Sequence, residues 1–153
     1  MITTLCYIEK DNCYLMLHRN KKAQDINQGK WIGIGGKLEP RESCDECNLR
    51  EVKEETGLDL VEAKCRGIIT FVQNDGYTEY MFLFTSDSFM GELKECDEGT
   101  LRWVSKDELD TLNMWEGDRI FLDCLRKDLP FFSLKLVYNG DNLVEAWLNN
   151  EKV

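Results

Sequence analysis

With 153 residues, 42% hydrophobic and 31% charged, the chain has an ordinary globular composition and enough length to bury a core as one domain spanning residues 1–153. Its 19 basic and 29 acidic residues leave a net charge of -10. Such a surface repels a phosphate polymer, which argues against a nucleic-acid partner, and it repels a small polyphosphate too unless cations intervene. The densest apolar run, "YMFLF" at 80–84, is too short to cross a membrane, and "MITTLCYIEK" lacks the pattern of a signal peptide. Seven cysteines make an odd number for a disulfide framework, so reduced thiols in the cytoplasm are expected. Cys44-x-x-Cys47 invites a zinc or redox reading, but no second CxxC follows and His18 is the only histidine.

In chain order, "ITTLCYI", a turn at Lys10-Asp11-Asn12 and "CYLMLH" read as a hairpin. A polar loop over 19–30 leads to Trp31 and the glycines Gly33, Gly35 and Gly36. A capped helix comes next, followed by strands over 65–73 and 77–85 parted by Asn74-Asp75-Gly76. "TLRWV" is expected to be a short strand leading into a helical turn from Ser105, and a longer helix is expected over 117–127. "FFSLKLVY" and "NLVEAWL" close the chain as a hairpin across Asn139-Gly140. Strands mixed with two or three helices give an α/β or α+β sandwich.

The helix between Pro40 and Gly57 carries the clearest end signals. Ser43 and Glu46 fit a capping box, and Gly57 fits a left-handed C-terminal cap. A rotation of about 100° per residue puts Leu49, Val52 and Thr56 on one stripe and Glu51, Glu54 and Glu55 on another. Cys44, Cys47 and Asn48 lie up-helix on the acidic side, and such small residues suggest that something packs close to it. A solvated face would account for Glu-x-x-Glu-Glu by itself, since like-charge pairs at this spacing cost only a few tenths of a kcal/mol. Hard oxygen ligands for Mg²⁺ or Mn²⁺ are the alternative. The spacing does not decide between them.

The wider stretch does. Gly36, Glu42 and then Arg50-Glu51-Val52-Lys53-Glu54-Glu55-Thr56-Gly57-Leu58 resemble the Nudix box position for position. The order of elements around it is similar to the Nudix α/β/α sandwich with a mixed central sheet. The resemblance implies a loop–helix–loop that holds Mg²⁺ (or Mn²⁺) against the pyrophosphate of a nucleoside diphosphate derivative, a small-molecule substrate. Glu51, Glu54, Glu55 and the carbonyl of Gly35 match its metal ligands. Glu42 and Arg50 match residues that orient the site. A distant acid often completes the family's metal site, and Glu98 is the choice here, with Glu95 and Asp97 as neighbours. For the carboxylate that takes the proton from water, Glu54 ranks first, with Glu51 and Glu98 behind it. Arg19, Lys21 and Lys37 are candidate phosphate contacts or ordinary surface cations, and Trp31 joins the substrate-binding candidates.

Outside the box, "GKWIGIGGKLE", "LRWVSKDELDTLNMWEGDR" and "PFFSLKLVYNGDNL" resemble segments of the MutT-type nucleotide-pool sanitisers that act on 8-oxo-purine triphosphates such as 8-oxo-dGTP. Trp115 and Asp118 match an aromatic residue and an acid of the base wall in the human-type enzymes. The alternative for Trp115 is a core position at a helix start. Gly117 replaces a first acid, and Ile32 stands where the human type has an asparagine. Rival readings are another Nudix substrate (ADP-ribose, a dinucleoside polyphosphate or an RNA cap) and a non-catalytic nucleotide-sensing module. A monomer or homodimer is the expected assembly.

Overall fold

The computed structural model describes residues 1–153. Strand β1 (Ile2–Lys10) turns into β2 (Cys13–His18) through Asp11 and Asn12, both at positive φ, a conformation these two residue types tolerate. The chain continues through the short β3 (Trp31–Ile32), helix α1 (Cys44–Thr56), the long antiparallel pair β4 (Asp59–Gln73) and β5 (Thr78–Met90), and β6 (Thr100–Ser105). A 3₁₀ turn over Lys106–Thr111 and α2 (Glu116–Arg126) precede β7 (Phe132–Asn139), β8 (Asn142–Leu148) and β9 (Glu151–Lys152). All nine strands join one mixed sheet, in which β1 runs parallel to β5 and β4 parallel to β7.

Alternation along β1 shows how the sheet divides the interior. Leu5 and Tyr7 join a core with Phe71, Phe121, Leu134 and Leu136 on the side covered by α2. Cys6 and Ile8 join a second core with Leu15, Ile34, Val52 and Phe84 on the side covered by α1. One helix on each face of a mixed sheet is the α/β/α sandwich expected from the sequence.

The box helix keeps the ends read for it. Ser43 and Glu46 close a reciprocal capping box, and Gly57 caps the C-terminus at φ 83°. Its buried face differs from the expectation, however. Leu49 is 46% exposed, whereas Cys47, Asn48, Val52 and Thr56 are buried. The buried face takes Val52 and Thr56 from the Leu49 stripe and Cys47 and Asn48 from the small-residue side, so the helix is rotated only far enough to leave Leu49 out.

Strands β4 and β5 extend beyond the expected 65–73 and 77–85 through a bulged stretch pairing Asp59 with Met90. Three register shifts break the link between residue number and sheet face, and residues 61–64 are all exposed, so the alternation over residues 61–66 marks no buried face. The two-residue strands β3 and β9 are too short to carry a period, and α2 starts and ends one residue earlier than 117–127.

Candidate active site

The glycine loop enters the sheet where two strands part. β1 pairs with β2 only over Ile8–Lys10, and the chain from Trp31 to Leu38 fills the opening beyond. Amides of Cys6 and Thr4 donate to the carbonyls of Ile34 (2.6 Å) and Gly36 (2.9 Å), while the Gly35 carbonyl between them accepts no hydrogen bond. A Cβ on Gly35 would lie 1.8 Å from the Thr4 carbonyl oxygen, and one on Gly36 would lie 2.4 Å from the Glu51 carboxyl carbon. Glycine is therefore required for the loop to lie on β1 and for Glu51 to lie on the loop.

Arg50 organises the acids around it. Its Nε and Nη2 donate to the two oxygens of Glu42 (2.7 and 2.9 Å), a bidentate pair, and Nη2 also donates to the Lys37 carbonyl at 3.0 Å. Nη1 bridges Glu51 (2.7 Å) and Glu54 (3.2 Å). The hydrogen bonds from Arg50, helped by the Glu39 amide, hold the Glu42 carboxyl down at about 2. The same pairing pushes the guanidinium further up. Burial raises Glu51 against the pull of Arg50.

Cys47 lies beneath this hub, fully buried. Its Sγ is 3.5 Å from Thr4 Oγ1 and 3.7 Å from the Gly36 carbonyl, and Arg50 Nη2 approaches it at 3.8 Å. The small residues on the acidic side thus let the helix close onto β1 and the loop.

Glu55 faces inward. Burial and a proton shared with Glu98 raise its carboxyl well above the usual range. Burial also acts to raise Glu98, but the proton on Glu55 and the cations Arg19 and Lys22 prevail and lower it. Glu55 Oε2 is buried with no hydrogen-bond donor. Arg19 Nη1 stands 3.5 Å from Glu98, and its Nε touches Asp25 at 2.6 Å, a close charge contact without hydrogen-bond geometry.

The donor set fits a hard divalent cation in its chemistry. It offers an orphaned buried carboxylate oxygen at Glu55, an unused backbone carbonyl at Gly35, and Glu51, Glu54 and Glu98 as electrostatic neighbours. No three of these acids converge as a closed cage, because Arg50 bridges Glu51 and Glu54.

Beside the loop, a cleft opens between the sheet and the start of α2, lined by Gly35, Gly36, Arg19, Ile32, Trp115 and Asp118 among others. Trp115 is 5% exposed at the N-terminus of α2. Its Nε1 donates to Asn27 Oδ1 at 2.8 Å, and Phe71 and Tyr138 meet it edgewise at 5.2 and 5.0 Å. The Lys30 ammonium sits 4.6 Å from the ring centroid, so a cation covers one ring face. Asp118 is 7% exposed, and burial pushes its carboxyl up to about 8 although Arg119 and Lys30 pull the other way. Burial thus favours its protonated form, the one able to donate a hydrogen bond.

Gly117, the departure from the human-type acid, has a physical cause. A Cβ there would fall 2.4 Å from Leu136 Cδ1 and 2.7 Å from the Tyr138 hydroxyl, which accepts the Gly117 amide hydrogen bond.

The structure thus gathers Glu42, Arg50, Glu51 and Glu54 beside the glycine loop, sets Glu55 against Glu98, and brings Gly35, Arg19, Trp115 and Asp118 into the lining of the adjoining cleft. Three other candidates stand apart. Trp31 does not line the cleft; it stacks on His18 at 4.6 Å under Arg102, because alternation in β3 turns Ile32 inward instead. Lys37 is exposed outside the cleft, and Lys21 is tied to the Cys96 carbonyl at 2.7 Å. Sequence reading missed Thr3, Phe71, Glu79 and Met81, which line the cleft from three strands. Their only signal is strand alternation, which names a face and not a neighbour.

The family model of the NUDIX domain matches residues 2–125. Among curated relatives, the uncharacterized Nudix hydrolase YvcI of Bacillus subtilis (strain 168) is 33% identical over 129 residues, covering 81% of this chain and 78% of its own length. An oxidized purine nucleoside triphosphate hydrolase of Danio rerio is 30% identical over 130 residues, covering 84% and 83%. Among solved structures, the crystal structure of a MutT protein from Bacillus halodurans superposes with a TM-score of 0.87 at 28% identity, covering 98% of each chain. That likeness extends past residue 125 through the closing hairpin.

Proposed function

Because the chain belongs to the Nudix family of hydrolases, we propose that it cleaves nucleoside triphosphates to monophosphate and pyrophosphate, with oxidised purine nucleotides such as 8-oxo-dGTP as its substrates. The observation that carries this reading is the juxtaposition of two unlike ends. A carboxylate lattice around Arg50, with an orphaned Glu55 oxygen, adjoins a cleft lined by Trp115 and the buried Asp118. Residues 1–153 work as one domain in this reading. The oxidized purine nucleoside triphosphate hydrolase of Danio rerio among the relatives supports the substrate class.

Nudix hydrolases in general use divalent metal ions. Here Glu51, Glu54, Glu55, Glu98 and the Gly35 carbonyl are the residues to hold Mg²⁺, or Mn²⁺ in its place. Bound there, the ion supplies charge neutralisation on the phosphate oxygens and a bound water of lowered pKa. Everything else falls to side chains. Arg50 and Glu42 fix the loop and the helix in register through a bidentate pair that lysine could not form. Glu54 is more open than Glu42, Glu51 or Glu98, its side chain 58% exposed, which suits the carboxylate that accepts the proton of the attacking water. Glu51 and Glu98 rank behind it, Glu51 less exposed and held more closely by Arg50 and Glu98 engaged by Arg19 and Lys22. Arg19 lines the cleft from beside Glu98 and is the cation placed to meet a phosphate.

At the floor, Asp118 in its protonated form offers a donor to a base acceptor, and Trp115 supplies an aromatic wall. The test is incubation with Mg²⁺ and a panel of nucleotides, with products separated by ion exchange. Nucleoside monophosphate with pyrophosphate is the expected pair. Release of orthophosphate alone, or turnover confined to ADP-ribose or dinucleotides, would refute the reading.

A further inference from the structure

Strand β5 contributes a carboxylate to the cleft that the phosphate chemistry does not use. Its register sets Glu79 beside Phe71 of β4 and Met81 beside Thr3 of β1, and all four residues line the cleft. Glu79 is held from two sides. Thr3 Oγ1 donates to Oε2 at 2.7 Å and Tyr77 Oη donates to Oε1 at 2.9 Å. Thr3 is itself buried and its strand is pinned against the glycine loop, so the carboxylate orientation is set by the scaffold. A carboxylate has about four acceptor sites and these two hydroxyls fill two. No cation pairs with it, and Phe71, Met81 and Leu5 make the surrounding wall apolar. An oriented, half-satisfied acceptor in such a wall favours a ligand that brings a donor and penalises one that does not.

We infer that Glu79 is a specificity-determining residue of this cleft, selecting nucleotides whose base presents an exocyclic amino N–H to it over those that offer only C–H or acceptor groups there. The inference rests on the nucleotide reading of the site for the identity of its ligand. It assigns to β5 a discrimination that neither the box nor the start of α2 supplies. The box engages phosphates common to every nucleotide, and Asp118 stands on α2, whereas Glu79 stands on β5 with its carboxyl oriented by Thr3 and Tyr77.

The test uses dGTP and dITP, which differ only by the amino group on C2 of the purine. Affinities are measured by isothermal titration calorimetry with Ca²⁺ replacing Mg²⁺, in wild type, Glu79→Ala and Glu79→Gln. Wild type is expected to favour dGTP by about tenfold or more, as a charge-assisted hydrogen bond warrants. Glu79→Ala should bring the two within about twofold of each other by weakening dGTP, the difference then resting on the remaining wall. Glu79→Gln keeps an acceptor oxygen for one of the two hydroxyls and turns its NH2 toward the other, which can accept, so it should fold as wild type does and still lose most of the preference. Equal affinities in wild type, or a preference that survives both substitutions, overturns the inference. So does a collapse of the GTP-to-dGTP ratio in its place, which would assign Glu79 to the sugar. Failure of the same preparation to hydrolyse 8-oxo-dGTP, dGTP or dITP with Mg²⁺ would refute the hydrolysis reading separately, because the calorimetric ratio needs no turnover.

Discussion

The two ends of the cleft are built by different rules. The phosphate end is nearly contiguous in sequence: residues 35–58 supply the loop, Glu42, Arg50 and three of the acids, and Glu98 is the one member from far away. Its order comes from charge, with one guanidinium tying Glu42, Glu51 and Glu54. The end proposed to hold the base draws Thr3, Phe71, Glu79, Trp115 and Asp118 from β1, β4, β5 and the start of α2, ordered by burial except at Glu79, which two hydroxyls hold. Burial depresses no carboxylate there; it lifts Asp118 to about 8, whereas at the phosphate end Arg50 holds Glu42 at about 2. A chain can thus keep one acid ionised and another protonated within one cleft by choosing between a cation and an apolar wall.

If the division holds, substitutions at the phosphate end should lower turnover alike for all nucleotides. Glu54→Gln and Glu55→Gln are expected to reduce kcat by at least ~10²-fold, and chelation of divalent ions should abolish activity. Folded variants with near wild-type turnover would remove these residues from the machinery.

Trp115 gives the next largest effect. Because it is buried among Phe71, Tyr138 and Lys30, Trp115→Ala should cost about 3–5 kcal/mol of stability and confound kinetics. Trp115→Phe keeps a ring, and it should raise KM for purine nucleotides by up to ~10-fold with kcat nearly constant, since stacking contributes about 1–3 kcal/mol per base. An unchanged KM would make the tryptophan a core residue only.

Asp118 separates the ends through pH. Its folded value lies above the unfolded one of about 3.9, so folding takes up a proton between there and about 8. The stability contributed by the protonated form is complete below the unfolded value and is lost as pH rises through the folded one. The groups facing it are Lys30, Arg119, Tyr7 and Tyr138. Asp118→Asn should therefore be more stable than wild type at pH 8 by at least about 1 kcal/mol, or some 2–4 °C in Tm, and show little advantage at pH 4. Thermal melts across that range check it, and a parallel shift at every pH would contradict it.

The smallest effect belongs to the thiols. Cys44→Ala/Cys47→Ala should keep activity within about twofold, because alanine preserves the close approach of α1 to β1. Its zinc content should be no lower than that of wild type. Stoichiometric zinc in wild type that disappears in the variant would reverse this.

Legibility in the sequence follows the same division. The caps of α1, both hairpins and the box were readable because each depends on residues a few positions apart, such as Ser43 with Glu46. The exposed Leu49 was not, since a helix period gives a face but not its rotation against a sheet. Nor was the bulged start of β4, where three register shifts and the exposure of residues 61–64 leave sequence alternation without a buried face to match. Lys30 over Trp115 and Thr3 with Tyr77 on Glu79 depend on register between distant segments, which no local pattern encodes.

The most direct measurement compares kcat/KM for 8-oxo-dGTP and dGTP at saturating Mg²⁺ in wild type, Glu54→Gln and Asp118→Asn. Wild type should prefer the oxidised base. Glu54→Gln should lower both values and leave their ratio intact, whereas Asp118→Asn should compress the ratio with far less loss of kcat. No preference in wild type, a strong preference untouched by Asp118→Asn, or a ratio altered by Glu54→Gln would contradict the separation of phosphate chemistry from base choice.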